Sequence, residues 1–148
     1  MTASLAAIDD RVAIAGQLNA DDMKDIAAAG YVAVVNNRPD GEAMFGQPRT
    51  AQLKAAAEAA GLVFLDLPFS GPRATPEQVR AFADLLAERP GKVVAYCKSG
   101  MRSALLWGAA AMAGGRSLED VLSAAQRAGQ NLEPVGETMA ALAQAVRR

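Results

Sequence analysis

The stretch Lys92 to Ser103, KVVAYCKSGMRS, constrains this chain most. A short apolar run, Val93 to Tyr96, passes through a glycine-containing loop into a helix whose first turn holds Arg102 and Ser103. The loop carries the only cysteine, Cys97. A thiol at the carboxyl end of a buried strand, facing the amino end of a helix, meets unpaired backbone N–H groups and the positive end of a helix dipole. Both favour the thiolate, and Arg102 adds a full positive charge five residues on. The plainer reading is a buried core cysteine. Against it stand Gly100, which permits a turn closed to other residues, and Ser99 and Ser103, whose small polar side chains do not fill a core.

The same alternation of apolar run and helix recurs along the chain. Val12 to Gln17 reads as a first strand, at a sheet edge. Asn19 and Asp22 offer a capping box for a helix with Met23 and Ile26 inward, ended by Gly30. Tyr31 to Val35 is a second strand, continued by Asn36, Asn37, Arg38, Pro39 and an Asp40-Gly41 turn. After an irregular connection, Thr50 opens a helix through Ala60, closed by Gly61. Leu62 to Leu67 is a third strand, and FSGPRA forms a loop after it. Thr75, Pro76 and Gln78 give a strong start signal for a helix running to Arg89, with Val79, Phe82, Leu85 and Leu86 inward.

Beyond the Cys97 loop come helices over Ala104 to Ala113, from Ser117 to Ala128, and from about Pro134 to Arg147. Val135, Met139, Leu142 and Val146 form an apolar stripe on the last, read as core in preference to a cofactor or partner groove. Three strand–helix–strand units predict an α/β fold: a mostly parallel central sheet with helices on both faces. Ligands in such sheets gather beyond the carboxyl ends of the strands, here Asn36 to Asp40, Pro68 to Arg73 and Cys97 to Arg102.

With 148 residues, 51% of them hydrophobic, the chain fits one domain over 1–148. The net charge of −1 and scattered basic residues argue against a broad nucleic-acid surface, although one arginine and a ring of amides can still hold a small anion. One cysteine and no histidine exclude an internal disulfide, a thiolate zinc site, a Cys–His pair and a Ser-His-Asp triad, so neither metal nor cofactor is expected. The most apolar helix is too short to span a bilayer. The opening residues lack a basic stretch before an apolar one, and a cytoplasmic location is expected.

Cysteine, four intervening residues and arginine make a cradle of thiolate, inward N–H groups and guanidinium. It can bind and attack a tetrahedral oxyanion, or take a sulfane sulfur and hold the persulfide. The segment from about Val12 to Ala113 resembles the phosphatase-like domain of beta-lactamase-hydrolase-like proteins, also described as sulfur transferases. The resemblance rests on VVNNRPDGE (Val34 to Glu42), GLVFLDLP (Gly61 to Pro68), TPEQV and AYCKSGMRSA (Ala95 to Ala104). It implies a cysteine-phosphatase-like fold, Cys97 as nucleophile, Arg102 as anion clamp and Lys98, Ser99, Gly100 and Met101 as the amide cradle. Arg38 and Asp40 match its NNRPDG stretch. The family's setting implies a persulfide dioxygenase or another sulfide-oxidising enzyme as partner.

Two features favour sulfur at this stage. The four-residue spacing matches rhodaneses rather than the five-residue spacing of cysteine phosphatases, and a smaller ring suits a single sulfur. The loop Phe69 to Ala74 carries no aspartate to serve as general acid, a loss worth ~10²-fold or more with an alkoxide leaving group. Tyr96 also stands where phosphatases have histidine. The expected activity is therefore sulfur transfer from thiosulfate or a persulfide to a thiol acceptor through a Cys97 persulfide. The alternatives are phosphomonoester hydrolysis through a phosphocysteine and a non-catalytic module that binds an anion or partner. Asp40 reads as a turn residue, a partner for Arg38 or a surrogate acid. Arg38 and Arg73 read as anion ligands or surface arginines. Ser103 reads as a donor to the sulfur or a helix cap, and Lys98 as an exposed side chain whose N–H alone joins the ring.

Overall fold

The computed structural model describes residues 4–147; Met1 to Ala3 and Arg148, at the ends of the expected 1–148 domain, lie outside the described residues. The strands are β1 (Leu5–Ala7), β2 (Val12–Ala15), β3 (Tyr31–Asn36), β4 (Val63–Asp66) and β5 (Lys92–Tyr96). They form one sheet in the order β1-β2-β5-β3-β4. All neighbours run parallel except β1, which pairs antiparallel with β2. The helices are α1 (Asp22–Ala28), α2 (Thr50–Ala59), α3 (Pro76–Glu88), α4 (Met101–Ala113), α5 (Leu118–Arg127) and α6 (Gly136–Arg147), with a 3-10 turn at Glu133–Val135.

The central strand β5 shows why its sequence is apolar without a break. Successive side chains of a strand point to opposite faces, and here both faces are covered. Val94 and Tyr96 join Val34 against Met23 and Ile26 of α1 and Leu53 of α2. Val93 and Ala95 join Val35 against Phe82 of α3, Leu106 of α4 and Met139 of α6. The expected parallel α/β architecture is thus present.

The first strand is not at the edge. β2 is buried at all four residues because β1 covers its outer side. Three residues are too few to show alternation, so β1 leaves no periodic signal in the sequence. The β1–β2 turn is built by Asp9, whose Oδ1 accepts from the N–H groups of Arg11 (2.8 Å) and Val12 (2.7 Å).

Helix starts follow local chemistry in graded fashion. Thr75 and Gln78 form the full reciprocal box at α3. Ser117 accepts from the Asp120 N–H at α5. At α1 only half of the expected box exists, the Asn19 N–H donating to Asp22 Oδ2 at 2.8 Å. α4 begins at Met101, three residues before Ala104, because Gly100 at φ 95° turns the chain straight into the helix. Of the expected stripe, Met139 and Leu142 are buried core on α6, while Val146 is half-buried and Val135, also half-buried, lies in the 3-10 turn and faces an opening.

α4 and α6 approach closely at Gly108. A Cβ there would overlap Met139 Sδ and come within 3.0 Å of Val121 Cγ1. Gly108→Val is therefore expected to destabilise the protein by about 1–3 kcal/mol through overpacking. A thermal melt matching wild type would contradict this packing.

Candidate active site

The three polar strand ends meet at the carboxyl edge of the sheet, and Asn37 ties them together. Its backbone N–H donates to the Tyr96 carbonyl (2.8 Å), its Nδ2 to the Leu67 carbonyl (3.0 Å), and its Oδ1 accepts from the Ser103 hydroxyl (2.8 Å). Asn37 and Ser103 are both fully buried, so each of these bonds satisfies a group that water cannot reach. The Ser103 hydroxyl is thus spent on Asn37. It neither donates to the Cys97 sulfur nor caps the helix, which corrects both readings of that residue.

Cys97 follows β5 directly and is 1% exposed. Its Sγ accepts the backbone N–H of Gly100 at 3.1 Å. The left-handed conformation of Gly100 makes this turn possible at the head of the thirteen-residue α4. Lys98, Ser99 and Met101 are exposed around it. The Lys98 carbonyl is held from behind by the Gln17 N–H at 3.3 Å. Of the loop residues expected as an amide cradle, Gly100 is the one whose N–H is seen on the sulfur among the described residues.

Arg102 reaches over this loop. Its Nη1 donates to Glu42 Oε2 (2.7 Å) and to the Phe69 carbonyl (3.0 Å), and its Nη2 to Glu42 Oε1 (2.9 Å). This two-pronged arrangement fixes the guanidinium plane. The hydrogen bond to Glu42 raises the Arg102 pKa above its ordinary value, opposed by burial and aided by the charge of Cys97. Glu42 in turn accepts from Arg38 Nε at 2.9 Å, and Arg38 Nη1 donates to Gln17 Oε1 at 2.9 Å. Arg38 is only 6% exposed, so it belongs to the site and is not a surface arginine. Arg73 is exposed on its loop.

The Glu42 carboxyl is pulled down to about 2 from its usual 4.5, first by the Arg102 hydrogen bond and then by Arg38, against the opposing effect of burial. Its folded-state pKa is depressed, so its stabilisation is complete above about 4.5 and is lost as pH falls toward 2. The melting temperature of the wild type should consequently fall more steeply over that window than that of Glu42→Gln. Parallel slopes in a pH series of thermal melts would refute the clamp.

Asp40 is occupied otherwise. Its Oδ1 accepts from the Thr50 N–H (2.8 Å) and hydroxyl (2.9 Å), which holds the start of α2. The turn reading stands, since Gly41 has φ 77°. The salt-bridge reading is corrected, because Arg38 pairs with Glu42 instead. Asp66 at the end of β4 accepts from Asn36 Nδ2 at 2.8 Å. Tyr96 packs its ring into the core on the α1 and α2 side. Its pKa is pushed up by burial and then by the charges of Asp66 and Asp40. Its hydroxyl is buried and without a partner among the described residues.

Two openings adjoin the loop. One, of about 440 Å³, is lined by Arg38, Glu42, Ala43, Gly71, Lys98 and Arg102. The other, of about 300 Å³ and largely apolar, is lined by Gly71, Pro72, Met101, Arg102, Leu105 and Val135 among others. Sequence reasoning missed Glu42, Gln17 and Asn37. Only Glu42 carried a signal, its position four residues after Arg38 within the NNRPDGE stretch. Among the described residues no cluster of three metal-ligating side chains occurs, and no helix is long and apolar enough to cross a membrane.

At the carboxyl end of the parallel strand β5 the site thus holds a cysteine whose sulfur accepts a backbone N–H at the head of a helix, with an arginine beside it. The chain belongs to the family described as "Beta-lactamase hydrolase-like protein, phosphatase-like domain", whose model matches residues 4–114. It is similar to the beta-lactamase hydrolase-like protein of Agrobacterium fabrum, 43% identical over 100 residues that make up 68% of this chain and 23% of the relative. The protein of the same name from Xylella fastidiosa is 37% identical over 117 residues, 79% of this chain and 27% of the relative. The chain thus spans about a quarter of the length of these curated relatives. A candidate phosphatase from Neisseria meningitidis superposes with a TM-score of 0.80 at 33% identity, covering 93% of this chain and 96% of the other. The active form of Tk-PTP superposes with a TM-score of 0.75 at 22% identity, covering 99% and 98%, a likeness of fold.

These likenesses overturn the expectation of a sulfurtransferase. They lie among phosphatases and PTP-like proteins, and nothing among them supports a transferase, a rhodanese-type loop or a place in sulfur metabolism. The physical error lay in reading ring size from residue count. The loop continues without interruption into α4 and adjoins an opening lined by Arg38, Arg102 and Lys98 together with the Glu42 carboxylate that both arginines hold.

Proposed function

We propose that the domain hydrolyses phosphomonoesters through a phosphocysteine. The observation that carries this reading is the Gly100 N–H on the Cys97 sulfur at 3.1 Å, with Arg102 locked beside it. The Cys97 thiolate attacks phosphorus, the P–O bond to the alcohol breaks, and the phosphoryl group is carried on sulfur. Loop amides, the head of α4 and Arg102 stabilise the charge on its three outer oxygens. Water then attacks phosphorus, the S–P bond breaks, and inorganic phosphate leaves with the thiolate restored.

The alcohol side of the substrate follows from the carboxylates. Asp40, Glu42 and Asp66 are all engaged elsewhere, and Glu42 is ionised at neutral pH, so none is poised to protonate a leaving alkoxide. A leaving group that departs as an anion is favoured, and the apolar groove beside Arg102 suits an aromatic ring. Release of inorganic phosphate is expected to be ~10²-fold or more faster from phenyl phosphate than from glycerol phosphate. No phosphate release from either substrate would overturn the proposal. Val135→Glu, which puts a charge into the groove, should lower kcat/KM for 1-naphthyl phosphate about tenfold more than for phenyl phosphate. Equal losses would remove the groove from the substrate site.

A further inference from the structure

The Ser99–Gly100 peptide is gripped at both ends. A trans peptide unit is planar and its C=O and N–H point in opposite directions; no cis bond occurs among the described residues. The Gly100 N–H points to the Cys97 sulfur, and the Ser99 carbonyl on the other side accepts from Gln130 Nε2 at 3.0 Å. Gln130 lies between α5 and the 3-10 turn, beyond the residues matched to the family. Its backbone is anchored by its N–H on the Ala125 carbonyl at 2.8 Å. The amide rests on Gly100 so closely that a Cβ there would lie 2.9 Å from Nε2.

We propose that Gln130 is a positioning residue for the cradle, an inference that rests on the phosphatase reading for its catalytic meaning. Before a glycine, rotation of a peptide unit between turn types costs little, and a rotated Ser99–Gly100 unit would present an oxygen to the sulfur and to an incoming anion. Gln130 holds the carbonyl outward and thereby the N–H inward. Accepting a bond at the carbonyl also polarises the peptide and strengthens its N–H as a donor. The preceding peptide is held in the same manner, by the Gln17 N–H on the Lys98 carbonyl. Gln17 acts through its backbone, so Gln130 is the one of the two that substitution can test.

The test compares wild type with Gln130→Met and Gln130→Glu, which keep the length of the side chain and remove the donor. The readouts are the dissociation constant of inorganic phosphate by calorimetry, the melting temperature, and hydrolysis of phenyl phosphate. Phosphate binding about tenfold weaker in both variants, with melting temperatures near wild type, is the expected result. Unchanged phosphate affinity in the folded variants overturns the role, whether or not their melting temperatures fall. A wild type that binds phosphate but hydrolyses no phenyl phosphate sinks the phosphatase reading and leaves Gln130 to be judged on affinity. A wild type that binds no phosphate sinks both.

Discussion

Cys97→Ser is expected to abolish phosphomonoester hydrolysis, with a loss of about 10⁴-fold or more in kcat, while inorganic phosphate still binds within a few-fold of wild type. A serine hydroxyl is not ionised near neutral pH, and the absence of histidine from the chain leaves no imidazole to take its proton. The cradle outlives the change. Its parts are the loop amides, the head of α4 and Arg102, and a serine oxygen can accept the Gly100 N–H in place of sulfur. Steady-state kinetics with phenyl phosphate, paired with calorimetry of phosphate binding, separates the two effects. Retention of more than a small fraction of turnover would mean that another group attacks phosphorus.

Arg102→Lys tests the other half of the site. The charge is kept, but an ammonium group cannot hold both Glu42 oxygens and the Phe69 carbonyl in one plane while facing an anion. kcat/KM for phenyl phosphate is expected to fall about 10²–10³-fold. The melting temperature should also drop, because Glu42 then keeps only the Arg38 half of its partners. A lysine variant with wild-type kcat/KM would show that positive charge suffices and that the Glu42 bridge has no part in orienting the guanidinium.

The sequence made the architecture legible where local signals and burial agree. The unbroken apolar run of β5, the complete cap at Thr75 and the glycine closures of α1 and α2 all point to the elements observed. It failed where an element is too short for a pattern, as at β1, or where a long-range bond replaces a local one. Asp40 is such a case: ten residues separate it from Thr50, whose N–H and hydroxyl it holds.

The site was legible along the chain but not across it. Cys97, Gly100 and Arg102 declare themselves by spacing within one loop. Glu42 lies four residues from Arg38 but sixty from Arg102, and Gln130 lies thirty-one from Ser99, so no spacing rule reaches those two long-range contacts. Ser103 shows the same limit, since nothing local foretells that Asn37 takes its hydroxyl. The choice of chemistry erred for a related reason. Four residues between cysteine and arginine suggested a narrow ring, whereas the opening beside the loop is also lined by Arg38, Glu42, Ala43 and Gly71 from the β3 and β4 loops, which the count does not include.

The most direct test of the central claim is to trap the intermediate. The protein would be mixed with phenyl phosphate, quenched in acid during turnover, digested, and the Cys97 peptide examined by mass spectrometry. A phosphoryl group on Cys97 that appears before inorganic phosphate and is absent from Cys97→Ser is the predicted result. Phosphate release at full rate with Cys97 unmodified at every quench time would contradict it.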